Sequence, residues 1–497
     1  MSALSPHACG FNQNFKIILD KEGNALKDYN LIRKVKAIRC SQASPMGREM
    51  FRITWPAFIE LVMSTLFGMV DMIMVGSLGP AAIAAVGITN QPFMLLMAIF
   101  AAVNIGGTAL VAWSVGGNNL NKAKAVTRQI ITMNLALGFG ISILGIAAAG
   151  PIVKFMGAGS DTLKMATVYF QIVAAGLIFQ AVIMGITACL RGAGQTRIPM
   201  AYNVGSNLLN VFGNYALIYG KWGFPCWGVA GAAVSTTLAR LVACLAALYV
   251  VYLSSRSDLK ISIKDDYRID RDIIKKIFAI GMPSALEQFV LQSGLMLFAK
   301  IVSGLGTAGF AAHQIGLNIS GLSFSPSQAF GVAATTLVGQ SLGAGDADKA
   351  ERYARYIRKA AMVTACFMGL IFVMFSYPLA RLYTSDLAVA GMAGIVLKIL
   401  ALAQPGQSTQ LTLAGALRGA GDTMYPLYAS ILGIWVFRVG ITYVFVNEFG
   451  WGLIGAWVAL VMDQYIRSVV VYLRFRSGKW KYIKTRVSGV EAEVLQE

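Results

Sequence analysis

The chain has 497 residues, 56% of them hydrophobic and only 13% charged, and carries a formal net charge of +19. A soluble domain holds about 25% charged residues, so a water-soluble protein is excluded first. Period-two alternation is absent, which argues against a membrane barrel, and the apolar stretches are each near the roughly 20 residues that cross a bilayer.

Residues 1–52 are polar, mixed in charge, and hold nine Lys and Arg. No apolar run precedes a cleavage site, so the segment reads as a cytoplasmic tail rather than a secretory signal. It has room for a short surface helix near Tyr29–Arg39. Six spans are expected next, at about 53–77, 87–115, 125–150, 165–190, 196–219 and 227–253. A charged linker follows at 254–276. Six more spans are expected at about 277–303, 313–342, 355–380, 392–417, 423–446 and 452–474, and a basic then acidic tail at 475–497. The domains are therefore a tail at 1–52, a first bundle at 53–253, a linker at 254–276, a second bundle at 277–474 and a tail at 475–497.

The second set of spans repeats the first. Residues 53–217 match 280–444 at an offset of 227, and Trp227-Gly228 then meets Trp451-Gly452 at an offset of 224. Leu190-Arg191-Gly192-Ala193-Gly194-Gln195-Thr196 lies over Leu417-Arg418-Gly419-Ala420-Gly421-Asp422-Thr423. Six spans return a chain to its starting side, so both halves share one orientation. The fold expected is all-α and integral to the membrane: twelve helices in two six-helix bundles about a pseudo-two-fold axis along the membrane normal.

The basic residues sort by loop. The loops 116–128, 191–197, 254–276, 343–359 and 418–422 hold eighteen Lys and Arg, while the opposite loops hold Lys154, Lys164, Lys221 and Arg381. The positive-inside rule then places both termini in the cytoplasm. The charge balance reports topology and attraction to anionic lipid, and nucleic acid is not an expected partner. The six cysteines are scattered and only two histidines exist. Neither a metal cluster nor a cofactor is expected, and no phosphate-binding Gly-x-x-x-x-Gly-Lys-Ser/Thr loop is present.

Ionisable groups inside a bilayer are costly and mark function by default. Those expected there are Glu60, Asp71 and Arg240 in the first half, and Glu287, Lys300, His313, Lys398, Arg438, Asp463 and Arg467 in the second. Asp71 lies deep in the first span. Glu60, eleven residues earlier, shares its helical face about one and a half nanometres away. In the fifth span Asn203, Asn207, Asn210 and Asn214 recur at four, three and four, on one face. They serve either as hydrogen-bonding glue between helices or, with Asp71 and a hydroxyl such as Thr236, as an oxygen cage for a hard cation. Phe298 and Ile441 stand where the second half would repeat Asp71 and Asn214, so such a cage is confined to the first half. The twin Leu-Arg-Gly-Ala-Gly-x-Thr segments read as tight cytoplasmic turns with the Arg at the anionic surface. Pro56 and Pro283 open the first and seventh spans, either as first-turn prolines or, if inserted deeper, as bend points.

Taken as a set, Pro56, Val70-Asp71, Gly76-Ser77-Leu78-Gly79, Ala311-Ala312-His313-Gln314-Ile315 and the twin turns resemble the multidrug and toxic compound extrusion (MATE) family over about 50–475. The resemblance implies an inner-membrane antiporter exchanging Na+ or H+ for a drug-like, often cationic, molecule. It places the coupling cation at Asp71, Asn210 and Asn214 with the hydroxyl of Thr236. Some relatives carry an acid where Asn214 stands. Glu60, Asn207, Glu287 and Gln292 are secondary candidates for substrate or coupling. A monomer is expected, with lipid and organic cations as partners. The rivals are a lipid-linked oligosaccharide flippase of the same superfamily, a channel, and an integral-membrane enzyme, for which no nucleophile motif appears.

Overall fold

A computed structural model describes residues 45–483, apart from 255, 256, 263 and 266 and the side chains at 160 and 161. The helix expected near Tyr29–Arg39 lies outside the described residues. The chain divides into a unit of Met1–Glu49 and a unit of Met50–Glu497. The second carries the site.

The first bundle contains α1 (Pro45–Gly76), α2 (Pro80–Gly116) and α3 (Leu120–Ala147). It continues with the bent pair α4 (Ser160–Ala175 and Leu177–Gly192), α5 (Arg197–Tyr219) and α6 (Gly228–Tyr252). The second bundle contains α7 (Arg271–Ser303), α8 (Thr307–Gly343), α9 (Ala347–Arg381), α10 (Leu387–Gly419), α11 (Met424–Glu448) and α12 (Gly452–Arg476). Among the described residues there is no strand. The architecture is the expected twelve helices in two bundles. Nine of these helices are long and apolar enough to cross a bilayer, ten with the 43° bent pair counted as one span. The two that fall short are α5 and α8, because α5 carries the asparagine stripe and α8 is rich in Ser, Thr and Gly.

The duplication is explicit in the local chemistry. Asn119 and Asp346, equivalent at 227, cap α3 and α9 by accepting from the backbone N–H of Lys122 and Lys349, as short polar side chains do at a helix start. Gly194 and Gly421 close the twin turns at φ of 80° and 84°, a left-handed conformation that a side chain would strain. Pro56 and Pro283 take the deeper of the two expected positions. Both lie inside their helices, because α1 and α7 start earlier, at Pro45 and Arg271.

The bundles meet at the ends that bear the basic loops. Trp113 Nε1 donates to Gly419 O at 2.7 Å, Thr336 Oγ1 to Arg191 O at 2.8 Å, and Gln340 Nε2 to Gly192 O at 2.9 Å. Backbones touch there without side chains between them. A Cβ on Gly116 would fall 1.9 Å from Gln340 O, and one on Gly281 would fall 2.0 Å from Ala102 O. By contrast, α1 buries Ile53, Thr54, Pro56, Ala57 and Glu60 near one end and Val75 near the other, with no buried residue between.

Candidate functional site

A cavity of about 1130 Å³ lies between the bundles and is lined from both. Asp71, Asn207, Asn210, Thr236, Glu60, Glu287 and Gln292 all line it. Asn214 is fully buried directly behind the lining.

One cluster joins α1, α5 and α6. Asn214 Nδ2 donates to Asp71 Oδ1 and, at 3.3 Å, to Asn210 Oδ1. Asn210 Nδ2 donates to Thr236 Oγ1 at 3.0 Å. Ser235 Oγ, one residue before Thr236, donates to the Asn210 carbonyl at 2.9 Å and pins α6 against α5. The four residues expected to act together thus form one connected network. The Asn214 Oδ1 oxygen is buried and has no hydrogen-bond partner. An unsatisfied carbonyl at that depth costs on the order of 1–3 kcal/mol unless something binds it. Arg240 does not pair with Asp71 among the described residues. Its guanidinium rests over the Phe93 ring at 4.9 Å, and its Nη1 is buried without a partner.

The asparagine stripe is therefore partly cage and partly glue. Asn203 leaves the cluster and donates to Glu60 Oε1 at 2.5 Å. Asn207 lines the cavity and makes no hydrogen bond to a described residue.

The second arrangement was not legible as a site. Arg191 and Arg418 do not sit at the lipid surface. Each turns inward and lines the cavity. Arg191 Nη2 pairs with Glu60 Oε1 at 2.9 Å, and Arg418 Nη2 meets both oxygens of Glu287 at 2.8 Å. Ser430 Oγ adds a bond to Glu287 Oε1 at 3.1 Å, matching Asn203 at an offset of 227. The physical reason is burial: Glu60 is 5% exposed and Glu287 fully buried, so each carboxylate needs a cation, and the turn of its own bundle supplies one. The signal available in the sequence was the co-repetition itself, a Glu and an Arg 131 residues apart in both halves.

The third arrangement belongs to the second bundle. Phe298, at the position of Asp71, faces His313 at 5.4 Å and the Arg438 guanidinium at 5.8 Å. His313 is fully buried between Phe298, Phe310 and Trp457. Arg438 pairs with the buried Asp463 at 2.6 Å, and Arg467 lines the cavity beside them. Arg438 stands on a π-helical stretch, Ile431–Ile441, a rare geometry found mostly at functional sites. Lys300 and Lys398 are exposed and do not line the cavity.

The family model described as MatE matches residues 56–216 and again 283–444, one copy per bundle. The chain belongs to the MATE family. A probable multidrug resistance protein NorM of Thermotoga maritima is 32% identical over 444 residues, covering 87% of this chain and 93% of that one. The multidrug resistance protein PmpM of Pseudomonas aeruginosa is 27% identical, covering 88% and 92%. Among solved structures, a MATE protein in complex with MaD3S superposes with a TM-score of 0.82 at 25% identity, covering 92% of this chain and 99% of that one. The MATE chain is thus a multi-pass membrane transporter of the multidrug-efflux kind.

Proposed function

We propose that this MATE transporter exports drug-like amphiphiles with a positively charged centre across the inner membrane, in exchange for a cation bound at Asp71. The observation that carries the reading is the buried, unpartnered Asn214 Oδ1 beside the Asp71 carboxylate. With Asn210 Oδ1 and Thr236 Oγ1 in the same network, one negative charge and three neutral oxygens belong to one hydrogen-bonded cluster at the cavity wall. Hard cations favour such oxygen donors, and a single carboxylate balances one monovalent charge. This favours Na+. A proton on Asp71 is the second reading, since it would balance the same single charge.

Coupling follows from where Asp71 stands. The last turns of α1 are tied to α5 by the Asp71–Asn214 bond and, just past Gly76, by Ser77 Oγ to Tyr219 Oη at 2.8 Å. A cation on Asp71 changes the first of these ties. Differential affinity of the ion for the two cavity orientations then supplies the driving force, since equal affinity would shift nothing. Both termini are taken as cytoplasmic on the charge sorting of the loops. The bundles then meet on the cytoplasmic side and the cavity opens outward.

The test is export of a cationic dye by purified protein in liposomes, with a Na+ or a pH gradient imposed separately. Wild type should respond to one gradient, and Asp71→Asn should abolish the response while remaining folded. Undiminished gradient-driven export by Asp71→Asn would show that the carboxylate is structural.

A further inference from the structure

Charge is unevenly spread over the cavity wall. On the first bundle Glu60 and Arg191 satisfy each other, which leaves Asp71 and Arg240, one of each sign. On the second bundle Arg418 is matched by Glu287 and Arg438 by Asp463. Arg467 is left over. It is only 6% exposed, yet it lines the cavity. It makes no hydrogen bond or ion pair with any described residue, and its Nε is buried without a partner. Glu287, Asp463, Arg418, Arg438 and Arg467 together thus carry one more positive than negative charge.

The position is built rather than incidental. The Arg467 stem and Asp463 lie together against Gly433 of the π-helical stretch, where a Cβ would come within 2.3 Å of Asp463 Oδ1 and 2.4 Å of Arg467 Cγ. One turn away on α12, Gln464 lines the same wall with its Oε1 buried and unpartnered. At the offsets of the repeat, Arg438 and Arg467 correspond to Val211 and Ala243, so this basic patch exists on the second bundle alone. It complements the Asp71 cluster, which exists on the first alone. Asp463, one turn earlier on α12, and Glu287 both act on Arg467, but three guanidiniums share these two acids, and an excess positive charge in a buried site is unfavourable. The planar fork of N–H donors on Arg467 suits a carboxylate or phosphate oxygen pair.

We infer that Arg467, with Arg438 beside it, is a subsite for an anionic group on the cargo, a carboxylate or phosphate. The preferred cargo is then a zwitterionic amphiphile rather than a simple cation. The inference rests on the cavity being the cargo site and deepens that reading.

The experiment compares gradient-driven uptake of a zwitterionic amphiphile and its methyl ester, which keeps the positive centre and lacks the carboxylate, by the full chain in liposomes. Wild type should show a KM for the zwitterion lower by about tenfold or more, the worth of one charged hydrogen bond. Arg467→Gln should erase that preference by weakening the zwitterion much more than the ester, and Arg467→Lys should restore part of it. Equal loss for both cargoes would make Arg467 structural and overturn the inference. If Arg467→Gln does not fold, the wild-type comparison decides alone, and equal KM values for zwitterion and ester sink the inference. Failure of the export reading is distinct: wild type would then transport neither cargo down either gradient.

Discussion

Substituting Gly116 by Ala should loosen the contact that closes the cavity at the basic-loop end. In the structure a Cβ at that position would lie 1.9 Å from Gln340 O, 2.6 Å from its carbonyl carbon and 2.7 Å from its Cα. Ordinary contact begins near 3.4 Å, so the α2 and α8 backbones would have to part by the difference between 3.4 and 1.9 Å, about 1.5 Å. The obstructing atoms are backbone and have no rotamer to escape into. Overpacking of this kind costs about 1–3 kcal/mol, and because the penalty falls on the closed arrangement alone, it shifts the closed-to-open ratio about 5- to 150-fold. The measurement is a distance distribution between spin labels at Lys122→Cys and Lys349→Cys, equivalent positions in the loops of the two bundles, in a background with the six native cysteines replaced. Gly116→Ala should enrich the long-distance population. Gly140→Ala is the control, since a Cβ there meets nothing within 4 Å. If Gly116→Ala and Gly140→Ala give the same distribution, the bundles do not close through this contact and the reasoning fails.

Trp113→Phe should act in the same direction but less, because it removes one hydrogen bond to Gly419 O, worth about 0.5–1.5 kcal/mol; the same label pair reads it. Glu287→Gln should lower thermal stability in detergent by about 3–5 kcal/mol, since it strands Arg418 inside the protein. The double change Glu287→Gln with Arg418→Gln should recover most of that loss, and no recovery would mean that the pair is not what stabilises α7 against the turn. Asn214→Ala should weaken the ion dependence of transport more than Asn210→Ala does, because only Asn214 contacts Asp71 directly; equal effects would place the ion elsewhere on the stripe. A cysteine at Lys264, in the linker between the bundles, should react with an impermeant thiol reagent only from the cytoplasmic side, and labelling from outside would invert the topology.

The architecture was legible because it depends on properties written residue by residue. Apolar runs near bilayer length locate the spans, and an offset of 227 declares the duplication. The Asp71–Asn210–Asn214–Thr236 network was also within reach. Helical periodicity places the asparagines on one face, and the bilayer makes any carboxylate at that depth conspicuous. What the sequence could not decide is which buried charge meets which. Glu60 shares a helical face with Asp71, yet it belongs to Arg191, more than a hundred residues away. Arg191 and Arg418 look like surface residues of a glycine-rich turn, and only the packing of that turn against α1 and α7 aims them inward. Asn203 and Asn214 have the same residue type and the same spacing pattern, but one completes an ion pair and the other faces Asp71. Asp463 is one turn from Arg467 on α12, yet it forms its ion pair with Arg438 of α11, a choice that the tertiary arrangement alone makes. Periodicity and composition are local quantities and survive in one dimension. Pairing in a medium of low dielectric is settled by distances of a few ångströms between distant segments, and those exist only after the bundles have packed.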